Sequence, residues 1–132
     1  MKRSSVMLAL PVFAVATLVA AQTATTHEGG PDYQAFCAPC HGSTGRGDGV
    51  VAASLKRRPS DLTQLAKKND GIFPAERVSK TIDGGAVTHG GSTGMPEWAS
   101  VFAKSRESGS AAEVKTRIDA LVKYLEGIQA KS

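Results

Sequence analysis

Two thiols and an imidazole follow one another closely in this chain. Cys37 and Cys40 are three positions apart, and His41 comes directly after the second cysteine. Thiols at this spacing can add to the two vinyl groups of one porphyrin, and the adjacent imidazole can bind the iron from one face of the ring. The run Cys-Ala-Pro-Cys-His therefore predicts the covalent attachment site of one c-type haem, with His41 as an iron ligand.

A pair of cysteines at this spacing also occurs in thioredoxin-type redox couples and as half of a zinc site. Three features favour haem attachment. His41 follows Cys40 without a gap, the chain contains no other cysteine that could complete a zinc site, and the flanking sequence does not read as a strand leading into a redox helix. The disulfide and zinc interpretations remain as alternatives.

A haem that only carries electrons needs a second axial ligand on the face opposite His41. Met95 is the leading candidate because it is the sole methionine after residue 21, and Pro96 restrains the backbone behind it. A thioether ligand favours ferrous iron and raises the reduction potential. His89 is the alternative ligand, since imidazole also binds haem iron, and His27 is a weaker candidate near the N-terminus.

The stretch after His41 holds four glycines between positions 42 and 49, which predicts a loop. A phosphate-binding loop is disfavoured because no lysine occupies a Walker position and no strand leads in. We expect these glycines to let the backbone approach the edge of a flat ring. Beyond the loop, a backbone carbonyl near Arg58 and Pro59 is expected to orient the second ring nitrogen of His41.

The elements that must position these residues read as helices. We predict helices over about 31–38, from Ser60–Asp61 to Asn69, over 75–82 and from Ser110 onward. The last helix begins with a capping box formed by Ser110 and Glu113. Its apolar face comprises Val114, Ile118, Leu121, Val122, Leu125 and Ile128, and its charged face comprises Lys115, Arg117, Asp119, Lys123 and Glu126. No segment alternates with period two, so the fold class is all-α.

The N-terminus resembles an export signal. Lys2 and Arg3 precede a 16-residue apolar run from Val6 to Ala21, which is shorter than the roughly 20 residues of a membrane-spanning helix. We expect a signal peptide over 1–21, a flexible polar lead-in over 22–30 and one domain over 31–132. The alternative is an uncleaved N-terminal membrane anchor. Without Lys2 and Arg3 the net charge falls from +4 to +2, which gives no reason to expect nucleic acid as a partner.

Taken in order, these motifs resemble the class I c-type cytochromes, the small soluble monohaem cytochromes c of bacterial type. The resemblance runs from Tyr33 to Leu125 and rests on 37–41, 47–49, 59–63 and 94–96. It implies the cytochrome c fold, in which N- and C-terminal helices cross beside the haem and short helices and glycine-rich loops surround it. It also implies thioether bonds at Cys37 and Cys40 and axial ligation by His41 and Met95.

Members of that family often carry a glycine and then an aromatic residue at four-residue intervals before the first cysteine. Gly29 and Tyr33 stand at these positions, and Leu121 and Tyr124 look like their partners on the last helix. The chain departs from the pattern at Pro31, which we predict to begin the first helix after Gly29.

The leading hypothesis is an electron carrier in the periplasm and not an enzyme: haem iron changes by one electron, with no small-molecule substrate. Its partners would be redox proteins that dock transiently, and membrane contact would come only through them or through an uncleaved N-terminus. The basic residues of a candidate docking patch are Lys56, Arg57, Arg58, Lys67 and Lys68. The alternatives are a haem subunit of a larger oxidoreductase, or a five-coordinate haem sensor or peroxidase if Met95 is not a ligand.

Overall fold

The computed structural model describes residues 28–85, 94–105 and 109–131, and these residues fold as helices joined by loops. The α-helical segments are α1 (Gly29–Asp32), α2 (Ala38–His41), α3 (Ala75–Asp83), α4 (Trp98–Ala103) and α5 (Ala111–Gly127). A π-helical turn (Tyr33–Cys37) joins α1 to α2, and 3-10 turns occur at Ala52–Ser54, Leu62–Gln64 and Lys67–Asn69. The described ranges contain no strand, as predicted.

Two sequence predictions fall outside this part of the chain. The expected signal peptide and its cleavage site lie outside the described residues, as do the candidate ligands His27 and His89. Over 28–85, 94–105 and 109–131, none of the helices has the length and apolar character needed to cross a membrane.

Residues 29–41 form one helical run, which we call the N-terminal helix. It begins at Gly29, two residues before the predicted start at Pro31, so the last residues of the predicted lead-in belong to the fold. Pro31 is tolerated because an N–H in the first turn has no intrahelical partner. The π-helical turn precedes Pro39, whose ring would clash with the carbonyl four residues earlier in a regular α-helix, and here Ala38 N–H bonds to Tyr33 O.

The last helix, α5, follows its prediction closely. Ser110 Oγ accepts a hydrogen bond from Glu113 N–H, and the Glu113 carboxylate accepts one from Ser110 N–H, which is the predicted capping box. The apolar face is also confirmed: its buried members are Val114, Ile118, Leu121 and Leu125, and its partly buried members are Val122 and Ile128. The prediction for Arg117 is wrong, because this side chain is buried and not on the exposed charged face.

The N-terminal helix crosses α5 at a glycine. A β-carbon on Gly29 would overlap the carbonyl oxygen of Ala120 and lie 2.9 Å from the amide nitrogen of Leu121. One turn later Tyr33 is fully buried, and its ring centroid lies 4.9 Å from that of Tyr124. The expected pairing of Gly29 and Tyr33 with Leu121 and Tyr124 is therefore present.

Gly29→Ala is expected to destabilise the protein by about 3 kcal/mol, because the new methyl group must push the two helix backbones apart. Gly30→Ala is the matched control, since its β-carbon would meet only the Tyr124 ring at 3.5 Å, an ordinary contact. Its expected effect is within about 1 kcal/mol, given the better helix propensity of alanine. Urea unfolding of both variants measures the difference, and equal midpoints would contradict the close crossing.

Between residues 60 and 103 the structure confirms one predicted helix and differs from the sequence prediction in two places. The predicted helix over 75–82 is confirmed as α3, which ends at Gly84 with a φ of +100°. The predicted helix from Ser60–Asp61 to Asn69 is instead two 3-10 turns, the first capped by Asp61, whose carboxylate accepts from Thr63 N–H. The short helix α4 has no predicted counterpart, and it inserts the fully buried ring of Phe102 into the core.

Candidate functional site

The N-terminal helix brings the three predicted attachment residues together. Cys37 ends the π-helical turn, and Cys40 and His41 lie in α2. Residues three and four positions apart on a helix share one side, so both thiols and the imidazole lie along the same side. All three side chains are partly exposed, and both thiols are free.

The glycine-rich loop over 42–49 caps the C-terminal end of this helix. The last four carbonyls of a helix have no partners within the regular helical pattern. Here all four accept backbone hydrogen bonds: Ala38 from Gly42 at 2.8 Å, Pro39 from Val51 at 3.0 Å, Cys40 from Gly49 at 3.1 Å and His41 from Gly47 at 2.7 Å. The backbone that carries Cys40 and His41 is therefore held in one conformation.

Glycine is needed in this loop because the backbone passes very close to other backbone. A β-carbon on Gly47 would overlap the carbonyl oxygen of Pro59, and one on Gly49 would overlap that of Pro39. Gly47 also has a φ of +76°, which side chains rarely adopt. These contacts with the protein's own backbone explain the two glycines, whereas the sequence pattern predicted that they approach the edge of a ring.

The imidazole of His41 is oriented by the segment that follows the loop. Its Nδ1 lies 3.0 Å from the carbonyl oxygen of Ser60. Because a carbonyl only accepts hydrogen bonds, Nδ1 carries the proton in the neutral tautomer that fits this contact, and Nε2 of that tautomer keeps its lone pair. The orienting carbonyl predicted near Arg58 and Pro59 is thus found at Ser60.

The Ser60 carbonyl is itself held in place by contacts with the loop. Leu62 N–H donates to Gly45 O at 2.7 Å, and the Arg58 Nε–H donates to Gly47 O at 3.4 Å. The Asp61 carboxylate accepts from the Thr63 backbone N–H at 2.9 Å and from its hydroxyl, and these hydrogen bonds lower the Asp61 pKa. The orientation of the imidazole therefore depends on a network that spans 45–63.

Aromatic contacts join the helix of the cysteines to the segment of Met95. Phe36 packs edge-on against Trp98 at 5.6 Å and against Phe102 at 5.5 Å between ring centroids. Trp98 begins α4, three residues after Met95, which is partly buried and packs against the core. Ligation by Met95 stays a prediction, and its rival His89 lies outside the described residues.

The environment of Cys37 differs from that of a thioredoxin-type cysteine. Burial raises the pKa of the Cys37 thiol to about 12, with smaller contributions from the charges of Asp32 and Cys40. Reactive redox cysteines have lowered pKa values, commonly at a helix N-terminus, whereas Cys37 lies within a helical run. Within the described ranges no group of three or more His, Cys, Asp or Glu is arranged to hold a metal ion. The Cys37 thiol therefore lacks the lowered pKa of a thioredoxin-type nucleophile.

The chain matches no protein-family model, no curated protein and no solved structure. The interpretation of this site accordingly depends on its own residues and their geometry.

A buried ion pair behind the site was not predicted. The Arg117 guanidinium donates to both carboxylate oxygens of Asp32, through Nε and through Nη2, the latter at 2.7 Å. Its Nη1 donates to Ser105 Oγ at 3.3 Å, and its central carbon lies 4.3 Å from the Phe102 ring centroid and 5.1 Å from that of Phe36. Arg117 thus links α5 to the N-terminal helix and to α4.

The helical period offered a signal for this arginine. Position 117 is three residues after Val114 and four before Leu121, so it lies within the apolar stripe of α5. A charge in that stripe predicts a buried partner. The partner's identity was not predictable, because Asp32 is 85 positions away.

Proposed function

We propose that this protein is a single-electron carrier with one covalently bound c-type haem. Cys37 and Cys40 would hold the porphyrin through thioether bonds, and His41 and Met95 would be the axial ligands. The observation that carries this proposal is the hydrogen bond from His41 Nδ1 to Ser60 O, because it leaves Nε2 as a lone-pair donor. Haem-ligating and metal-ligating histidines commonly have their other ring nitrogen held by a backbone carbonyl in this way.

The chemistry of the available groups fits a haem. Two thiols lie on the same side of a helix as an imidazole whose Nε2 is available for iron. When bound, the haem supplies a one-electron change between ferric and ferrous iron. No acid, base or nucleophile of the chain is required for that change, which is why the proposal is a carrier and not an enzyme.

The residues around the site would then set the reduction potential of the haem. The Ser60 carbonyl orients His41, and the loop amides hold the backbone beneath it. Phe36 and Cys37 pack against the apolar core, and a surrounding of low polarity would favour the less charged, reduced state of a redox centre. A thioether ligand from Met95 would also favour the reduced state.

The proposal includes the class I cytochrome c fold and export to the periplasm. Support for the fold comes from the crossing of the N-terminal helix with α5 at Gly29 and from the packing of Tyr33 against Tyr124. Support for export comes from the sequence over 1–21, with an N-terminally anchored form as the alternative. Redox proteins that dock transiently are the proposed partners.

Met95→Ala is expected to abolish the thioether-to-iron charge-transfer band of the oxidised protein and to open the reduced iron to carbon monoxide. His89→Ala is the matched control and is expected to keep both properties of the original protein. Optical spectra of oxidised and reduced samples, with and without carbon monoxide, measure these changes. Rapid carbon monoxide binding by the unmodified reduced protein would contradict His/Met ligation.

A further inference from the structure

The side chain of Gln129 makes three hydrogen bonds to backbone groups. Its Nε2 donates to the Leu62 carbonyl at 2.8 Å and to the Leu125 carbonyl at 2.7 Å. Its Oε1 accepts from the Ala66 N–H at 2.9 Å. A carbonyl only accepts and a backbone N–H only donates, so one orientation of the Gln129 amide satisfies all three partners. The position therefore uses both the donor and the acceptor of a glutamine side chain.

These hydrogen bonds connect the C-terminal end of the chain to the segment over 62–66. Gln129 lies two residues beyond α5, and its bond to the Leu125 carbonyl serves a helix end whose carbonyls have no partners within the helix. Its other two bonds reach residues 63 and 67 positions away. The next residue adds a backbone hydrogen bond, from the Ala130 N–H to the Thr63 carbonyl at 2.8 Å. The backbone over 62–66 is thus held at three points.

Leu62 is the residue through which this anchoring reaches the proposed ligand His41. The Leu62 N–H donates to the Gly45 carbonyl at 2.7 Å, and the Leu62 carbonyl accepts from Gln129, so hydrogen bonds hold the residue on both sides. Ser60 lies two residues earlier, and its carbonyl oxygen is 3.0 Å from Nδ1 of His41. Because a single residue separates Leu62 from Ser60, a displacement of Leu62 also moves the carbonyl that orients the imidazole.

The same end of the chain supports the loop on the other side of Leu62. A β-carbon on Gly45 would lie 3.0 Å from Cδ1 of Ile128 and 3.5 Å from the Tyr33 hydroxyl oxygen. Ile128 therefore packs closely against the backbone whose carbonyl accepts the Leu62 N–H. The Tyr33 hydroxyl donates to the Gly42 carbonyl at 2.7 Å, which holds the beginning of the loop. Both groups that flank Leu62 are thus fixed by residues distant in the sequence.

We propose that Gln129 is a positioning residue for His41, acting through Leu62 and the Ser60 carbonyl. This inference rests on the proposed function. A hydrogen bond from Nδ1 to a carbonyl makes an imidazole a more basic ligand. A more basic ligand donates more electron density to the iron and so favours the ferric state. Loss of the Gln129 hydrogen bonds would loosen the contact between Ser60 and His41, and the reduced state would gain.

The test compares the haem-loaded protein with its Gln129→Met variant, in which the side chain keeps its length and loses its three hydrogen bonds. At a fixed applied potential, the ratio of reduced to oxidised protein is expected to rise about threefold, or about 28 mV at about 59 mV per tenfold for a one-electron couple. Gln64→Met is the matched control, because the Gln64 amide donates to the hydroxyl of the adjacent Thr63 at 3.1 Å. This control is expected to leave the ratio unchanged, and equal shifts in the two variants would overturn the proposal.

A second measurement follows the hydrogen bonds themselves. Nuclear magnetic resonance of the reduced protein gives the rates at which the Nδ1 proton of His41 and the Leu62 N–H exchange with water. Gln129→Met is expected to accelerate both exchanges about tenfold, because the local opening that exposes these protons becomes easier. Gln129→Asn is a milder variant, since its amide is one methylene shorter, and it should change both rates and the redox ratio in the same direction. Unchanged exchange of the Nδ1 proton in both variants would contradict the proposed role.

Val114→Ala separates a positioning role from a loss of stability. Val114 is buried near the beginning of α5, about 20 Å along the helix from its C-terminal end. This variant is expected to lower the urea midpoint and to leave the redox ratio unchanged. A haem-loaded Gln129→Met protein that loses stability but keeps the original ratio would overturn the positioning proposal alone. A protein without covalent haem would overturn the proposed function itself.

Discussion

Cys37→Ser/Cys40→Ser is expected to yield little folded protein and no covalently bound haem. The double variant cannot form thioether bonds, so any remaining haem would depend on axial ligation alone. The apolar core of the described residues is thin, with eight buried members: Tyr33, Val78, Ile82, Phe102, Val114, Ile118, Leu121 and Leu125. On the proposed function, a bound porphyrin would add a large apolar group to this thin core, so its loss is expected to remove much of the stability.

The measurements are the yield of soluble protein, the far-ultraviolet circular dichroism and the haem that remains bound under denaturing conditions. Ala35→Ser is the matched control, because it places a serine at an exposed position of the same helical run. This control is expected to keep covalent haem and the original helical signal. A well-ordered double variant that lacks haem would contradict the expected dependence of folding on attachment.

Arg117→Met is expected to destabilise the protein by about 3–5 kcal/mol, because it leaves the Asp32 carboxylate unpaired. The Asp32 side chain is only 15% exposed, so water cannot replace the two hydrogen bonds from the guanidinium. The cation-aromatic contacts with Phe36 and Phe102 are lost as well. The stability of Arg117→Lys should fall between that of the original protein and that of Arg117→Met, since an ammonium keeps the charge without the bidentate geometry.

Lys115→Met is the control for this experiment. Lys115 lies on the same helix and pairs with Asp119, but both side chains are largely exposed, so the expected loss is below about 1 kcal/mol. Asp32→Leu/Arg117→Met should recover part of the stability lost by Arg117→Met, because neither charge then remains buried. Urea unfolding gives the free energies. Similar losses for Lys115→Met and Arg117→Met would refute the structural role of the buried pair.

Predictions from the sequence succeeded where the causes are local. The capping box of α5 and its apolar face depend on residues within a few positions of each other, and the end of α3 depends on Gly84. They were less accurate where short segments depend on tertiary packing. Over 60–69 the structure has two 3-10 turns and not one helix, and α4 exists because Trp98 and Phe102 pack against Phe36.

The sequence by itself determined the chemistry of the candidate site, since the thiols of Cys37 and Cys40 and the imidazole of His41 are adjacent along one helix. Only the tertiary structure decided that Ser60 orients that imidazole, that Gly29 lets two helices touch and that Arg117 is buried against Asp32. The physical reason is distance along the chain. These partners are separated by 19 to 91 positions, and local patterns carry no information about which distant groups will meet.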